Sequence, residues 1–125
     1  MRAGPATRVA LVVEDEWLAR DVMVSELKAS GWSVVEAATG EEVLALLAAN
    51  EVDVLLTDIR LAGIMSGWNV ALAVRAIEPD LPVIYASGNP SDASLRVEGS
   101  LFFSKPYLPE DIVAACHRLA GASRC

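Results

Sequence analysis

The chain is poor in cysteine and has neither a long apolar run nor an excess of positive charge. Its two cysteines, Cys116 and the last residue Cys125, are expected to be free thiols in a reducing compartment, because they could pair only if the end of the chain folded back. No apolar stretch approaches the roughly 20 residues that cross a bilayer, and residues 1–8 lack the apolar core of a secretory signal. The sequence therefore predicts a cytoplasmic protein without a membrane segment.

Positive charge and histidine are also scarce, which argues against two further classes of function. Ten lysines and arginines stand against seventeen aspartates and glutamates, for a net charge of −7. Phosphate groups repel such a surface, so direct binding of nucleic acid is not expected. His117 is the only histidine, and a lone helical histidine supports neither a zinc site nor a Ser-His triad.

Hydrophobic sequence is abundant, at 54% of 125 residues, which is enough for one domain with a single core. Apolar periodicity predicts strands at 9–13, 33–37, 52–57, 81–86 and 101–104. Helices are predicted at 17–29, 41–49, 68–77 and from Pro109 to about Leu119. The stretch 89–100 has room for only a short or irregular fourth helix. We expect one domain over 8–120, with tails at 1–7 and 121–125.

Three of the apolar strands end in charged residues. Glu14 and Asp15 follow the first strand, Asp58 follows the third and Lys105 follows the fifth. Continuous Val, Ile and Leu runs are typical of parallel strands buried on both faces, and ligands bind such sheets outside the carboxyl ends of the strands. If the strands lie side by side, three carboxylates and one ammonium group meet at one edge. That arrangement predicts a site for a divalent cation and for phosphoryl chemistry.

Asp58 is the candidate phosphoryl acceptor, because it stands alone at the end of its strand and a carboxylate can form an acyl phosphate. Lys105 can pair first with Asp58 and then with the phosphoryl oxygens. Ser87 and Gly88, after the fourth strand, offer a hydroxyl group and open space. Each of these residues also has an ordinary explanation as a helix cap, a surface charge or a turn. The functional interpretation is favoured because four such features fall at strand ends in order.

Four short motifs carry a resemblance to a known family. They are Val12-Val13-Glu14-Asp15-Glu16, Leu56-Thr57-Asp58-Ile59-Arg60, Ala86-Ser87-Gly88 and Ser104-Lys105-Pro106-Tyr107. Together they resemble the receiver, or phosphoacceptor, domain of two-component response regulators, over roughly residues 8–119. The resemblance implies a flavodoxin-like (βα)5 fold, an α/β architecture with a doubly wound, five-stranded parallel sheet in the order 2-1-3-4-5.

The resemblance also implies a role for each matching residue. Asp58 would accept its phosphoryl group from a sensor histidine kinase or a histidine phosphotransfer protein. Mg²⁺, or Mn²⁺ in its place, would be held by Glu14, Asp15, Asp58 and the backbone carbonyl of Arg60. The remaining roles are the phosphate contacts of Lys105, Ser87 and Gly88, the switch residues Ser87 and Phe102, and a cis peptide bond between Lys105 and Pro106.

The sequence departs from the family pattern in several places. Ala62 stands where a proline is usual, and the loop before Gly67 is one residue longer than usual. Phe102 lacks the hydroxyl group of the tyrosine that often occupies the switch position. Because the helical signal at 89–100 is weak, the usual output surface of the family is not assumed for this chain.

These features predict a stand-alone, phosphorylation-dependent switch that signals by protein contact or phosphorelay, as a monomer or a weak homodimer. It would not be an enzyme, apart from assisting its own phosphoryl transfer and dephosphorylation. One alternative is a small phosphatase with an aspartyl nucleophile, but such enzymes need a second aspartate where this chain has Arg60. Another is a pseudo-receiver scaffold, which would be expected to lack the acceptor, the acidic pair or the lysine, and all of these are present.

Overall fold

The computed structural model describes residues 8–88 and 95–123, with described side chains ending at Ala120. Strands and helices alternate along it. The order is β1 Val9–Val13, α1 Trp17–Ala29, β2 Ser33–Ala37, a 3-10 turn Gly40–Glu42, α2 Val43–Ala49, β3 Val54–Thr57, α3 Gly67–Ile77, β4 Val83–Ser87, β5 Leu101–Ser104 and α4 Pro109–Ser123.

The strands form one parallel sheet in the order β2-β1-β3-β4-β5. This order confirms the expected flavodoxin-like fold. Strands β1, β3 and β4 occupy the middle of the sheet and are almost fully buried. Because all the strands run the same way, the chain leaves β1, β3, β4 and β5 at the same edge, and the polar residues that follow them are brought together there.

Helices cover both faces of the sheet, as the continuous apolar runs require. Leu55 and Tyr85 face the layer of α2 and α3, whereas Val54 and Ile84 face the layer of α1 and α4. Burial of each of these side chains stabilises the fold by roughly 1.5–3 kcal/mol. Cys116 is a free cysteine buried in the second layer, and burial raises the pKa of its thiol to about 12, so it stays protonated.

Two strands begin later than their apolar runs predict. Strand β3 begins at Val54 instead of residue 52, because the carboxylate of Asp53 accepts a hydrogen bond of 2.8 Å from the backbone N–H of Val9 at the strand entrance. Strand β4 begins at Val83 instead of residue 81, since Pro82 has no N–H to donate to a ladder. A side-chain hydrogen bond and a proline therefore shorten these two strands at their amino ends, and the strand order of the sheet is unaffected.

The predicted fourth helix falls largely outside the described residues, since 89–94 are not among them. Residues 95–100 contain no α-helix. This short segment is instead held to the core, where the buried backbone N–H of Val97 donates to the hydroxyl group of Tyr85 at 3.1 Å. The described part of the chain thus has four α-helices, and none of those is both long and apolar enough to cross a bilayer.

Candidate functional site

Asp58 lies at the carboxyl end of the central strand β3 and is nearly buried, at 9% exposure. Its backbone N–H continues the pairing with β1 by donating to the carbonyl of Val13 at 3.0 Å. Its side-chain Oδ1 accepts a hydrogen bond of 2.6 Å from the N–H of Ile59. Its Oδ2 accepts a hydrogen bond of 3.0 Å from the Lys105 ammonium group. Both carboxylate oxygens are therefore held in defined positions at the sheet edge.

Glu14 is the second buried carboxylate at this edge, at 7% exposure. Its backbone N–H donates to Ala37 of β2 at 3.0 Å, which fixes the residue directly after β1. Its Oε2 accepts from the N–H of Glu16 at 3.2 Å, and its Oε1 lies 3.3 Å from the Lys105 ammonium nitrogen. Lys105 therefore bridges Glu14 and Asp58, residues that are separated from it by 91 and 47 positions in the chain.

The charges in this cluster are not balanced, because one ammonium group faces two buried carboxylates. The pKa of Glu14 is raised to about 7, mainly by burial and then by the negative charge of Asp58, while hydrogen bonding and the charge of Lys105 oppose the rise. Burial alone would lower the pKa of Lys105, but its hydrogen bond to Asp58 and the two negative charges outweigh this and raise it. The cluster therefore carries excess negative charge, which a divalent cation would compensate.

Asp15 follows Glu14 but is exposed to solvent and forms no hydrogen bond or ion pair with the described residues. Accordingly, no three carboxylate, imidazole or thiolate side chains within 8–88 and 95–120 converge as they would around a metal ion. The donor set nevertheless fits a hard divalent cation, because Glu14, Asp15 and Asp58 supply only oxygen atoms and two of them form a buried, underneutralised pair. Arg60 is exposed, and its backbone N–H lies 3.4 Å from Asp58 Oδ1.

Ser87, at the end of β4, is buried beside this cluster, and its carbonyl accepts from the N–H of Lys105 at 2.9 Å. The Lys105–Pro106 peptide bond that follows is cis. Gly88 is exposed, and a Cβ atom built on it would come no closer than 3.9 Å to the Lys105 side chain. A small side chain at this position would therefore be accommodated.

Phe102 lies on β5 and is half-buried. Its ring centroid is 6.2 Å from that of Trp68 on α3 and 6.3 Å from that of Tyr85 on β4. Sequence reasoning missed both of these partners, Trp68 and Tyr85, which are buried and whose ring centroids lie 4.7 Å apart. The available signal was an aromatic residue two positions before Ser87 on a buried strand, but its ring contacts depend on the sheet register.

Gly67 is a further residue whose importance the sequence did not show. It opens α3 and donates its N–H to the carbonyl of Ile59 at 2.7 Å. A Cβ atom at this position would lie 2.0 Å from the carbonyl oxygen of Asp58. Only glycine permits this approach, so the start of α3 rests directly on the backbone of Asp58.

Comparison with known proteins adds the family context. Residues 10–117 match the sequence model of the response regulator receiver domain. The C4-dicarboxylate transport transcriptional regulatory protein DctD of Rhizobium meliloti is 29% identical over 122 residues, which is 94% of this chain and 26% of that protein. The transcriptional regulatory protein YvrH of Bacillus subtilis is 28% identical over 109 residues, 83% of this chain and 45% of that protein. The chain thus spans less than half the length of these relatives.

Solved structures show the same architecture over nearly the whole chain. A response regulator receiver protein of Sinorhizobium medicae has 28% sequence identity and a TM-score of 0.87, over 93% of this chain and 96% of that one. The response regulator TrrA of Thermotoga maritima, solved in complex with Mg²⁺-BeF, has 26% identity and a TM-score of 0.81, over 90% of this chain and 99% of that one.

Proposed function

The chain belongs to the response regulator receiver domain family of two-component signalling, and on that premise we propose that Asp58 accepts a phosphoryl group from a phosphohistidine. The donor would be a sensor histidine kinase or a histidine phosphotransfer protein. The observation that carries the proposal is the bridge that Lys105 makes between the nearly buried carboxylates of Asp58 and Glu14. An ion pair that only stabilised the fold would need one carboxylate for the Lys105 ammonium group. The second carboxylate in this cluster leaves negative charge uncompensated at the carboxyl edge of the sheet.

In the proposed reaction, a carboxylate oxygen of Asp58 bonds to phosphorus as the bond between phosphorus and the donor imidazole breaks. The products are an acyl phosphate and a free histidine side chain on the donor. Lys105 lies 3.0 Å from Asp58 Oδ2, so its ammonium group is positioned to pair with the phosphoryl oxygens. Ser87 would supply a hydroxyl group from the neighbouring strand end.

Glu14, Asp15, Asp58 and the backbone carbonyl of Arg60 are the residues that we propose to hold Mg²⁺, with Mn²⁺ as a substitute. When bound, the cation would compensate the crowded carboxylates and the charge on the phosphoryl oxygens. The oxygen-only donor set supports this assignment, as does the Mg²⁺-BeF complex of TrrA. Glu14 is expected to act partly through water, since its Oε2 already accepts the N–H of Glu16.

The proposed output is a conformational change that is read by another protein or passed on by phosphorelay. Ser87 and Phe102 would carry it, because they lie on adjacent strands and Phe102 contacts the ring of Tyr85. Residues 8–120 would act as the receiver unit, as a monomer or weak homodimer, without a catalytic activity beyond its own phosphoryl transfer and dephosphorylation.

The proposal is tested by incubating the protein with acetyl phosphate and Mg²⁺ and measuring its intact mass. We expect the mass of one phosphoryl group to appear, and to require the cation. A protein that stays unmodified under these conditions, while a receiver of known activity is labelled beside it, would refute the proposed function.

Asp15→Asn is expected to weaken Mg²⁺ binding by about tenfold or more, because it removes a charged oxygen ligand. Glu14→Gln should weaken it less, since the longer side chain can act through water. Trp17 is 65% exposed and two residues from Asp15, so its fluorescence can follow a Mg²⁺ titration. Asp21→Asn, on the exposed side of α1, removes the same charge as a control. Equal affinity of Asp15→Asn and the parent would disprove the ligand assignment.

Arg60→Asn is expected to shorten the lifetime of the phosphorylated protein by a few-fold. Arg60 stands two positions after the acceptor, where family members control access of the hydrolytic water, and its long guanidinium group can shield and pair with the phosphoryl oxygens. The decay is followed by intact mass after the donor is removed, with the exposed Arg118→Asn as the charge-matched control. Decay of Arg60→Asn at the parent rate would show that Arg60 gives no protection.

A further inference from the structure

The loop that leaves the acceptor, residues 60–66, is closed at its base and held at its tip. At the base, the N–H of Gly67 donates to the carbonyl of Ile59 at 2.7 Å. At the tip, the N–H of Ile64 donates to Glu41 Oε2 at 2.8 Å, although the two residues are 23 positions apart. Ile64 itself is 94% exposed, so its side chain contributes little to holding the loop. At this residue the loop is therefore attached through its backbone, by the hydrogen bond to Glu41.

Glu41 also fits against the backbone of the residue before Ile64. Gly63 has a φ of +93°, and a Cβ atom there would lie 2.8 and 2.9 Å from the two Glu41 oxygens. The carboxylate thus occupies the space that a side chain would need. The hydrogen bond from Ile64 is the largest cause of a lowered pKa at Glu41, which shows that the loop N–H favours the charged carboxylate.

Two further contacts join the loop at 60–66 to the segment around the 3-10 turn. Thr39, which follows β2, and Ala62 of the loop form an isolated parallel bridge. Gly40 lacks a side chain where Met65 approaches, since a Cβ atom on Gly40 would lie 2.8 Å from the Met65 Cβ. The turn that carries Glu41 is therefore shaped to receive this loop.

We propose that Glu41 is a positioning residue for the acceptor site and that it acts by clamping the loop that contains Arg60. This inference rests on the proposed function, in which the Arg60 carbonyl is a cation ligand. The loop has Ala62 where the family usually has proline, and it is one residue longer than usual, so its free backbone has more conformations to lose. The Glu41 clamp supplies the restraint that proline would otherwise give.

The competing explanation is that Glu41 only stabilises its own turn, as acidic residues do at the start of a helix. Glu42, the next residue, separates the two explanations. Its Oε1 accepts hydrogen bonds from the N–H of Ala38 at 3.3 Å, from the N–H of Thr39 at 3.2 Å and from the Thr39 hydroxyl at 3.1 Å. These bonds go to the residues just before the turn and not to the loop at 60–66. Loss of Glu42 should weaken the turn and leave the clamp in place.

The test compares Glu41→Ala, Glu42→Ala and Glu41→Gln. The amide exchange rate of Ile64 is measured by NMR in the metal-free protein, and Mg²⁺ affinity and the rate of labelling by acetyl phosphate are measured separately. We expect Glu41→Ala to speed exchange at Ile64 and to weaken Mg²⁺ binding and slow labelling by roughly tenfold, the lower end for residues that orient metal ligands. Glu42→Ala should change these quantities little, and Glu41→Gln should recover most of the loss because it keeps the length and an acceptor oxygen.

Three outcomes would overturn the inference. The first is unchanged exchange at Ile64 in Glu41→Ala, which would mean that no clamp exists in solution. The second is faster exchange with parent-like Mg²⁺ affinity and labelling, which would mean that the clamp does not position the site. The third is an equal loss in Glu41→Ala and Glu42→Ala, which would indicate a role in the turn alone. If the parent protein itself is not labelled, the proposed function is refuted, and the effect of Glu41→Ala on Mg²⁺ affinity then decides the role of Glu41. A parent protein that binds no Mg²⁺ would also count against the role of Glu41.

Discussion

Asp58→Asn is expected to abolish phosphorylation completely while leaving the fold intact. The amide has the size of the carboxylate and keeps an oxygen for the N–H of Ile59, which donates at 2.6 Å. It has no anionic oxygen to attack phosphorus, so no acyl phosphate can form. Intact mass after incubation with acetyl phosphate and Mg²⁺ measures the effect, and circular dichroism confirms that the variant is folded.

The matched control for this experiment is Asp80→Asn. Asp80 is exposed in the connection between α3 and β4, near the amino end of β4 and therefore at the opposite edge of the sheet from the acceptor. It loses the same charge, so it should be labelled like the parent. Labelling of Asp58→Asn at the parent level would show that another residue is phosphorylated and would remove the basis of the proposed function.

The sheet could be predicted from sequence because its signals are local. Apolar patterning located all five strands, and the continuous runs among them indicated parallel strands covered on both faces. The strand order came from the family resemblance, since periodicity does not specify which strands are neighbours. The predicted starts of β3 and β4 were two residues too early, because the Asp53 hydrogen bond to Val9 and the missing N–H of Pro82 delay the start of the pairing.

The candidate site could be predicted in part, for a reason of geometry. Residues that follow neighbouring parallel strands meet at one edge, and the structure accordingly brings Glu14, Asp58 and Lys105 within hydrogen-bonding distance. The exposure of Asp15 and the contact of Gly67 with the Asp58 backbone were not predictable, because they depend on loop conformations. The pairing of Glu41 with Ile64 was hidden for the same reason, since an exposed glutamate in a turn gives no signal of its distant partner.

Glu14→Gln is expected to make the metal-free protein more stable at pH 8 and to raise its stability much less at pH 5. The pKa of Glu14 is about 7 in the folded protein, raised from 4.5, so between these values the folded state holds a proton that the unfolded chain releases. The associated stability is fully present below pH 4.5 and is lost as the pH rises through about 7. A rise of this size corresponds to at most about 3 kcal/mol of unfolding free energy, and we expect a gain of roughly 1–3 kcal/mol for Glu14→Gln at pH 8.

Urea denaturation in EDTA at pH 5, 6, 7 and 8 measures this difference. Asp15→Asn removes the same charge one residue away at an exposed position, so its stability should follow that of the parent across the range. Saturating Mg²⁺ should narrow the gap at pH 8, because the ionised carboxylate that destabilises the metal-free protein then helps to hold the cation. A gap between Glu14→Gln and the parent that is the same at every pH would show that the buried charge of Glu14 is not its source. The cost of that charge in the metal-free protein would then be too small to favour cation binding, and the affinity for Mg²⁺ would have to come from Asp58, the exposed Asp15 and the Arg60 carbonyl.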